Sequence, residues 1–338
     1  MTQKKKCSVF LFLLFLVAFA FSPVVCSAAG TQDSDSMRER FYIISENGKF
    51  GFMDRAGKTV IPPRYEEAAE FSEGLAAVKS EGIWGYIDGA GGIAIPFQFD
   101  WAGTFSDGLA VFEKERFAGF MDKKGRTVIE PRFSTAGDFS NGFAKVQTNG
   151  KWGFIDKSGK TAIAAEFEDA YDFAEGLAAV KRGGKWGYVD PKGTIVIPLK
   201  FQETHCFSEG KTWVLTESGV AFIDKKGEFT IPPLPYFEAG NFSEGRAKVL
   251  AGERYGFIDE RGKLVIPGRY TFVFPFAGGL APVNTNGKWG YVDAKGKLVI
   301  DFTFDLAQPF SGGLAQVQMG EAIGYIRADG AYVRKPTH

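Results

Sequence analysis

From Phe41 onward, short apolar runs alternate with turn signals at a regular beat. In one beat Leu75 to Lys79 is followed by Ser80-Glu81-Gly82, then Trp84 to Asp88, then a glycine-containing turn, then Gly92 to Ile95. Runs this short, rich in Val, Ile, Phe, Tyr and Trp and bounded by turn residues, predict β-strands. Asn149-Gly150 and Asn286-Gly287 predict tight hairpins, because both residue types tolerate positive φ. Asp156-Lys157-Ser158-Gly159 fits a type I turn, with the Asp side chain accepting neighbouring backbone N–H groups. Tyr65 to Phe71 contains Glu66-Glu67-Ala68-Ala69-Glu70 and suits one helical turn, too short to be stable by itself.

The beat is an internal repeat. A glycine recurs at Gly51, Gly85, Gly119, Gly153, Gly187, Gly256, Gly290 and Gly324, with Ala221 in the sixth place. The spacing is 34 residues, except for 35 between Ala221 and Gly256. The extra residue falls in Pro233-Leu234-Pro235-Tyr236, just after an Ile-Pro step, where a connection accepts an insertion cheaply. Trp84, Trp152, Trp186 and Trp289 precede the glycine in four units, and Asp88, Asp156, Asp190 and Asp293 end the same strands. An Ile-Pro step and a Phe-Ser-x-Gly segment, such as Phe71 to Gly74, complete the unit. Residues 41–333 therefore read as an all-β tandem array of about nine 34-residue, three-stranded units, with 334–338 as a tail.

No such unit can bury both faces alone, and stacking removes the problem. The Phe pairs, such as Phe99 with Phe105, are the expected packing device. A stack can stay open as a solenoid or close as a propeller. Nine blades exceed the usual range of about 4–8, and three strands make a thin blade, so the open form is the preferred expectation and the closed propeller the alternative.

The recurring Lys-Trp-Gly-Phe/Tyr-Ile/Val-Asp at Lys151 to Asp156, Lys185 to Asp190 and Lys288 to Asp293 resembles the bacterial WG-repeat family. Trp84, Gly85 and Asp88 match without the Lys, and Gly153, Gly187 and Gly290 hold the central position. Departures at Ala118, Val220-Ala221 and Arg327 mark drift in units three, six and nine. The resemblance implies a bacterial repeat protein, often exported, and carries no catalytic residue with it.

The first forty residues differ. Lys4 to Lys6, the apolar run Val9 to Phe21 and the small residues Ser27 to Ala29 have the layout of a secretory signal, so 1–29 read as a signal peptide and 30–40 as a linker. The run is shorter than the roughly 20 residues a membrane-spanning helix needs, and no second apolar span follows. Cys26 resembles a lipidation site, although Pro23-Val24-Val25 stand where that pattern prefers Leu and small residues. The expected location is periplasmic, cell-surface or secreted, with a lipid tether at Cys26 as one form. Loss of Cys7 and Cys26 with the signal would leave Cys206 alone.

Composition narrows the chemistry. Lys+Arg and Asp+Glu are both 40, which argues against a nucleic-acid partner. Apolar residues at 45% exclude a disordered chain. Two histidines exclude a three-histidine metal centre. The repeated aspartates read as turn formers rather than Ca²⁺ ligands, since each turn offers one and lysines often follow. His205 and Cys206 are adjacent, and in a β-run they would face apart. No cofactor is implied and the residues favour a non-enzymatic role. Trp101 and Trp213 break the repeat pattern and are the candidate ligand contacts. The expectation is a binding or scaffold module for an envelope protein or glycan. The alternatives are a structural spacer and a polysaccharide-acting enzyme with its site in the divergent sixth unit.

Overall fold

The computed structural model describes residues 41–336, which form strands, bridges and turns and no helix. The signal, the linker and Cys26 lie outside the described residues. Nine antiparallel sheets follow one another in chain order. The first comprises Tyr42–Glu46, Lys49–Met53 and Thr59–Tyr65. The second comprises Glu67–Ala68, Leu75–Ser80, Ile83–Asp88 and Ile93–Phe99, and its plan is that of most others. Seven sheets have four strands and two have three. Two expectations are corrected here. The unit gains a fourth strand, and Glu67–Ala68 supplies it in place of a helical turn, because its backbone pairs with Val78 and Lys79.

The array is a closed nine-bladed β-propeller, not an open solenoid. The first and ninth blades pack together: Tyr42, Ile44, Met53, Leu314, Ile323 and Tyr325 share one buried cluster. The Tyr42 and Tyr325 rings meet edge-on at 5.4 Å. The Tyr325 hydroxyl donates to the Ile43 carbonyl at 2.7 Å, the Tyr42 hydroxyl to the Gly312 carbonyl at 2.9 Å, and Arg334 pairs with Glu46. Among the described residues no strand of one blade joins the sheet of the other, and the seam is packing and side-chain hydrogen bonding between the two. Closure buries two apolar faces that an open stack would have to cap.

The other eight interfaces share one device. An aromatic on the third strand of each blade packs against the Phe of the next blade's Phe-Ser-x-Gly segment. The pairs include Phe52–Phe71 at 4.8 Å, Tyr86–Phe105 at 5.0 Å, Phe154–Phe173 at 4.9 Å and Tyr291–Phe310 at 5.2 Å. The rest of that segment is a clasp. Ser72, Ser106, Ser140 and Ser243 donate their hydroxyls to the next blade's Phe carbonyl at 2.6–2.8 Å. The residue after each serine adopts a left-handed backbone, as at Glu73 (φ 52°), Asp107 (φ 54°) and Glu244 (φ 52°). That conformation costs a non-glycine residue roughly 1–2 kcal/mol. In return its side chain accepts an N–H from the next blade: Glu73 from Gly108 at 3.1 Å, Asp107 from Gly142 at 2.8 Å. Lysines from neighbouring turns join in, with Lys123–Glu73 at 2.9 Å and Lys225–Glu175 at 3.0 Å.

Turns follow expectation. Asn149 and Gly150 both have positive φ, as do Asn286 and Gly287. Each strand-ending aspartate accepts two backbone N–H groups; Asp88 takes those of Ala90 and Gly92 at 2.9 Å.

The repeated glycine has a steric cause. Trp84 stands opposite Phe99 and Tyr86 opposite Ile95, so Pro96 to Gln98 bulge across Gly85 alone. A Cβ on Gly187 would lie 2.5 Å from the Ile197 carbonyl oxygen, and one on Gly153 2.6 Å from that of Ile163. The bulge also seats Pro96 and Pro198, which an interior strand would reject. In the sixth blade, where Ala221 has a Cβ, Val220 stands opposite Leu234, one residue earlier than in its counterparts. The displaced chain leaves at Pro235-Tyr236, the site of the insertion.

Gly187→Ala should therefore cost about 1–3 kcal/mol through overpacking. Urea unfolding of the variant should show a lower midpoint at unchanged slope; an unchanged midpoint would refute the steric account.

Candidate ligand-binding face

In a closed ring of like units, equal repeat positions share a face. The residue opening each short first strand is such a position, fixed by its partner across the sheet: Glu67 opposite Lys79, Trp101 opposite Glu113, Asp169 opposite Lys181, Phe272 opposite Asn284. Most blades carry a polar or acidic residue here. Two carry exposed rings, Trp101 at 41% and Phe272 at 58% exposure. The Trp101 indole lies along its own strand over Gly103, where an added Cβ would sit 3.0 Å from the ring. Phe272 was missed from sequence because phenylalanine is common throughout the repeat; only its position, where blades two, five and six have Glu or Asp, distinguishes it.

Trp213 sits three blades from Trp101 and is half-buried against the core between blades six and seven, with Val220, Phe242 and Val249. Trp84, Trp186 and Trp289 are buried, and Trp152 is half-buried. Beside the face, directly after the first strands of blades five and six, is a polar and aromatic cluster. Tyr171 stacks on Trp186 at 5.2 Å and meets His205 at 5.0 Å. Asp172 faces Lys145 at 3.4 Å, and burial pushes its carboxyl above the usual 3.8. Trp186 Nε1 and Asn241 Oδ1 are buried without a hydrogen-bond partner among the described residues.

His205 and Cys206 do not face apart. The short strand ends at Thr204, so strand alternation lapses, and Cys206 Sγ lies 3.0 Å from His205 Nδ1. Asn241 reaches the same Nδ1 at 3.2 Å and donates to the Cys206 carbonyl at 2.8 Å. Hydroxyls gather where blades five and six meet: the Tyr188 hydroxyl of blade five contacts those of Thr204 and Thr212 and donates to the His205 carbonyl at 2.7 Å. Among the described residues no group of three or more His, Cys, Asp or Glu is placed to hold a metal ion. Among the described residues no helix is long and apolar enough to cross a membrane.

Burial, aided by the positive charge of Lys248, lowers the His205 imidazole from 6.5 to about 4. Backbone N–H donors hold Asp190, Asp259 and Asp293 below the usual 3.8. For all of these the unfolded chain binds the proton more tightly, so stability is present at neutral pH and lost on acidification. The loss should come in two stages, from His205 between pH 6.5 and about 4, then from the turn carboxylates below 3.8, with Asp172 opposing. Melting temperatures across this range should show both, and His205→Asn should remove the first alone. A flat profile from pH 6.5 to 4 would overturn the assignment to His205.

Comparison with known proteins bears on the fold and the repeat. No curated protein matches the chain. The crystal structure of a eukaryotic initiation factor superposes with a TM-score of 0.61 at 12% identity, over 87% of this chain and 94% of that one. The extracellular domain of a putative hybrid two-component system from B. thetaiotaomicron gives a TM-score of 0.41 at 10% identity, over 90% of this chain and 59% of that one. The first likeness bears on fold alone. The model of the WG containing repeat matches eight times in tandem, at 50–82, 84–115, 119–152, 152–186, 186–218, 221–254, 255–289 and 289–321. The chain belongs to the WG containing repeat family.

Proposed function

We propose that this chain is an exported binding or scaffold module whose partner is a protein or glycan of the cell envelope. The observation that carries this reading is the pair of exposed rings, Trp101 and Phe272, at one repeat position of a closed ring where blades two, five and six present Glu67, Asp169 and Glu203. An exposed aromatic beside acidic and amide groups offers an apolar surface with polar anchors, the composition of a binding hot spot. The ring spreads these contacts over several blades, which suits a large ligand engaged at several weak points. Export rests on the signal-like pattern of residues 1–29, and Cys26 would be the lipid anchor if the chain is tethered. Trp213 contributes through packing that holds blade six against blade seven, and its half-exposed edge is the second contact in this scheme.

The test is capture from envelope extract by the folded protein and by Trp101→Ala, Phe272→Ala and Trp213→Ala variants. A single recovered protein or glycan, held at least roughly tenfold more weakly by Trp101→Ala, is the expected result. Equal recovery by all variants would move the site off these rings. Recovery of nothing by a cleanly folded sample would reject the binding reading.

A further inference from the structure

The seam between blades nine and one carries an unusual pair of cations. A cleft of about 670 Å³ opens there, lined by Arg55 and Ala56 of the first blade and by Gly313, Leu314, Arg327, Ala328 and Asp329 of the ninth. Clefts of roughly 300–1,000 Å³ are the size that takes a small ligand or a side chain.

Arg55 follows the strand-ending aspartate of its turn, as Lys123 and Lys225 do in blades three and six. Those two lysines each pair with a glutamate from the preceding blade's clasp, Lys123 with Glu73 at 2.9 Å and Lys225 with Glu175 at 3.0 Å. The blade preceding Arg55 around the ring is the ninth, and its clasp has Gly312 where the clasps facing Lys123 and Lys225 have Glu73 and Glu175; Gly278 of blade eight also lacks a carboxylate, but the turn that follows it in blade nine offers Ala328 rather than a cation. Gly312 keeps the same left-handed backbone, φ 56° against 52° at Glu73 and Glu175. The scaffold for the carboxylate is present and the carboxylate is missing. The Arg55 guanidinium lies over Gly313, and an added Cβ there would collide with it. Arg327 brings a second guanidinium to the cleft by replacing the aspartate that ends the third strand in every other blade. Neither arginine has a carboxylate partner among the described residues. Asp329 is occupied in its own turn, accepting the Ala331 N–H at 2.9 Å.

We propose that the seam is a carboxylate-binding site, in which Arg55 and Arg327 receive from a ligand the group that Glu73 and Glu175 supply within the chain elsewhere. Guanidinium groups recognise carboxylates through paired, charge-assisted hydrogen bonds. The source is either a small dicarboxylate or an acidic side chain of a bound peptide. Because the cleft is walled by the first and last blades, a ligand held there ties the ring shut, and occupancy should raise the melting temperature. The inference goes beyond the binding-module reading. It needs only the seam and would stand if Trp101 and Phe272 bound nothing.

Glutarate and a Gly-Glu-Glu-Gly peptide, titrated separately against the intact chain at fixed ionic strength, are the probes. The expected result is saturable binding of at least one, with a matching rise in melting temperature; which of the two binds more tightly names the source. Arg55→Gln with Arg327→Gln should weaken binding about tenfold or more, the loss expected when a charged hydrogen bond goes. Gly312→Glu is the decisive variant. It restores the built-in carboxylate at a backbone angle that Glu73 and Glu175 already adopt, so it should fold, melt higher than the parent without ligand and lose the response to both probes. Absence of saturable binding by the parent, an equal response from Gly312→Glu, or the same thermal shift with sulfate would overturn the proposal.

Discussion

The ring depends on one contact made eight times, the aromatic of a third strand against the phenylalanine that opens the next blade's clasp. With centroids near 5 Å and tilted planes, as in Phe120–Phe139 and Phe257–Phe276, each pair contributes roughly 0.5–1.5 kcal/mol beyond the burial of its area. The contact also fixes geometry. Both rings are fully or almost fully buried, so the spacing between adjacent blades is set by two side chains of nearly constant size. Repeating one spacing and one rotation closes a circle when the rotation divides the turn. The ninth blade's Tyr325 occupies the same position as Tyr291, and at closure it meets Tyr42 in place of a clasp phenylalanine. The ring therefore ends on the chemistry it repeats.

A second constraint runs inside the blade. The fourth strand must bulge to bring its inward Ile and Phe to the core side by side, and only a residue without a Cβ leaves room beneath the bulge. Ala221 is the natural experiment. With one methyl group added the register moves by one, the chain gains a residue to compensate, and Ile231 still reaches the core at 1% exposure. Packing of the isoleucine is conserved in the fold while the backbone route to it gives way. Side-chain burial thus dominates the local backbone, as expected when the core term is several kcal/mol per residue.

What the residues disclosed by themselves was whatever is set within a single unit. Hairpins at Asn149-Gly150, turns at Asp156 and the three longer strands depend on neighbours a few positions away, and they read directly. The short first strand did not, because Glu67-Ala68 has no strand-like composition and pairs only through its backbone. Closure did not, because the rotation per blade is a small angle summed nine times and no single residue encodes it. The clasp was visible as Phe-Ser-x-Gly, yet its partners lie in the next blade, so its purpose needed the structure. His205 and Cys206 misled because strand alternation was assumed past Thr204, where the strand stops. At the binding face, Trp101 stood out by type, whereas Phe272 is unusual only by position.

Pseudo-symmetry gives a way to separate support from use. A residue that recurs at one position in blade after blade, such as Asp88 or Gly153, is explained by a turn or a bulge that every blade must make. A residue that departs from its position needs another cause. Ala221 has one in the insertion beside it. Trp101 and Phe272 replace charged residues with exposed rings, which lowers solubility and gains no core packing. Gly312 and Arg327 remove a carboxylate from the seam and add a guanidinium, leaving Arg55 and Arg327 together in one cleft. Both departures cost the isolated ring something. They make physical sense when the compensating contacts belong to another molecule, and the two places differ enough in chemistry, one aromatic and one cationic, that they need not serve the same partner.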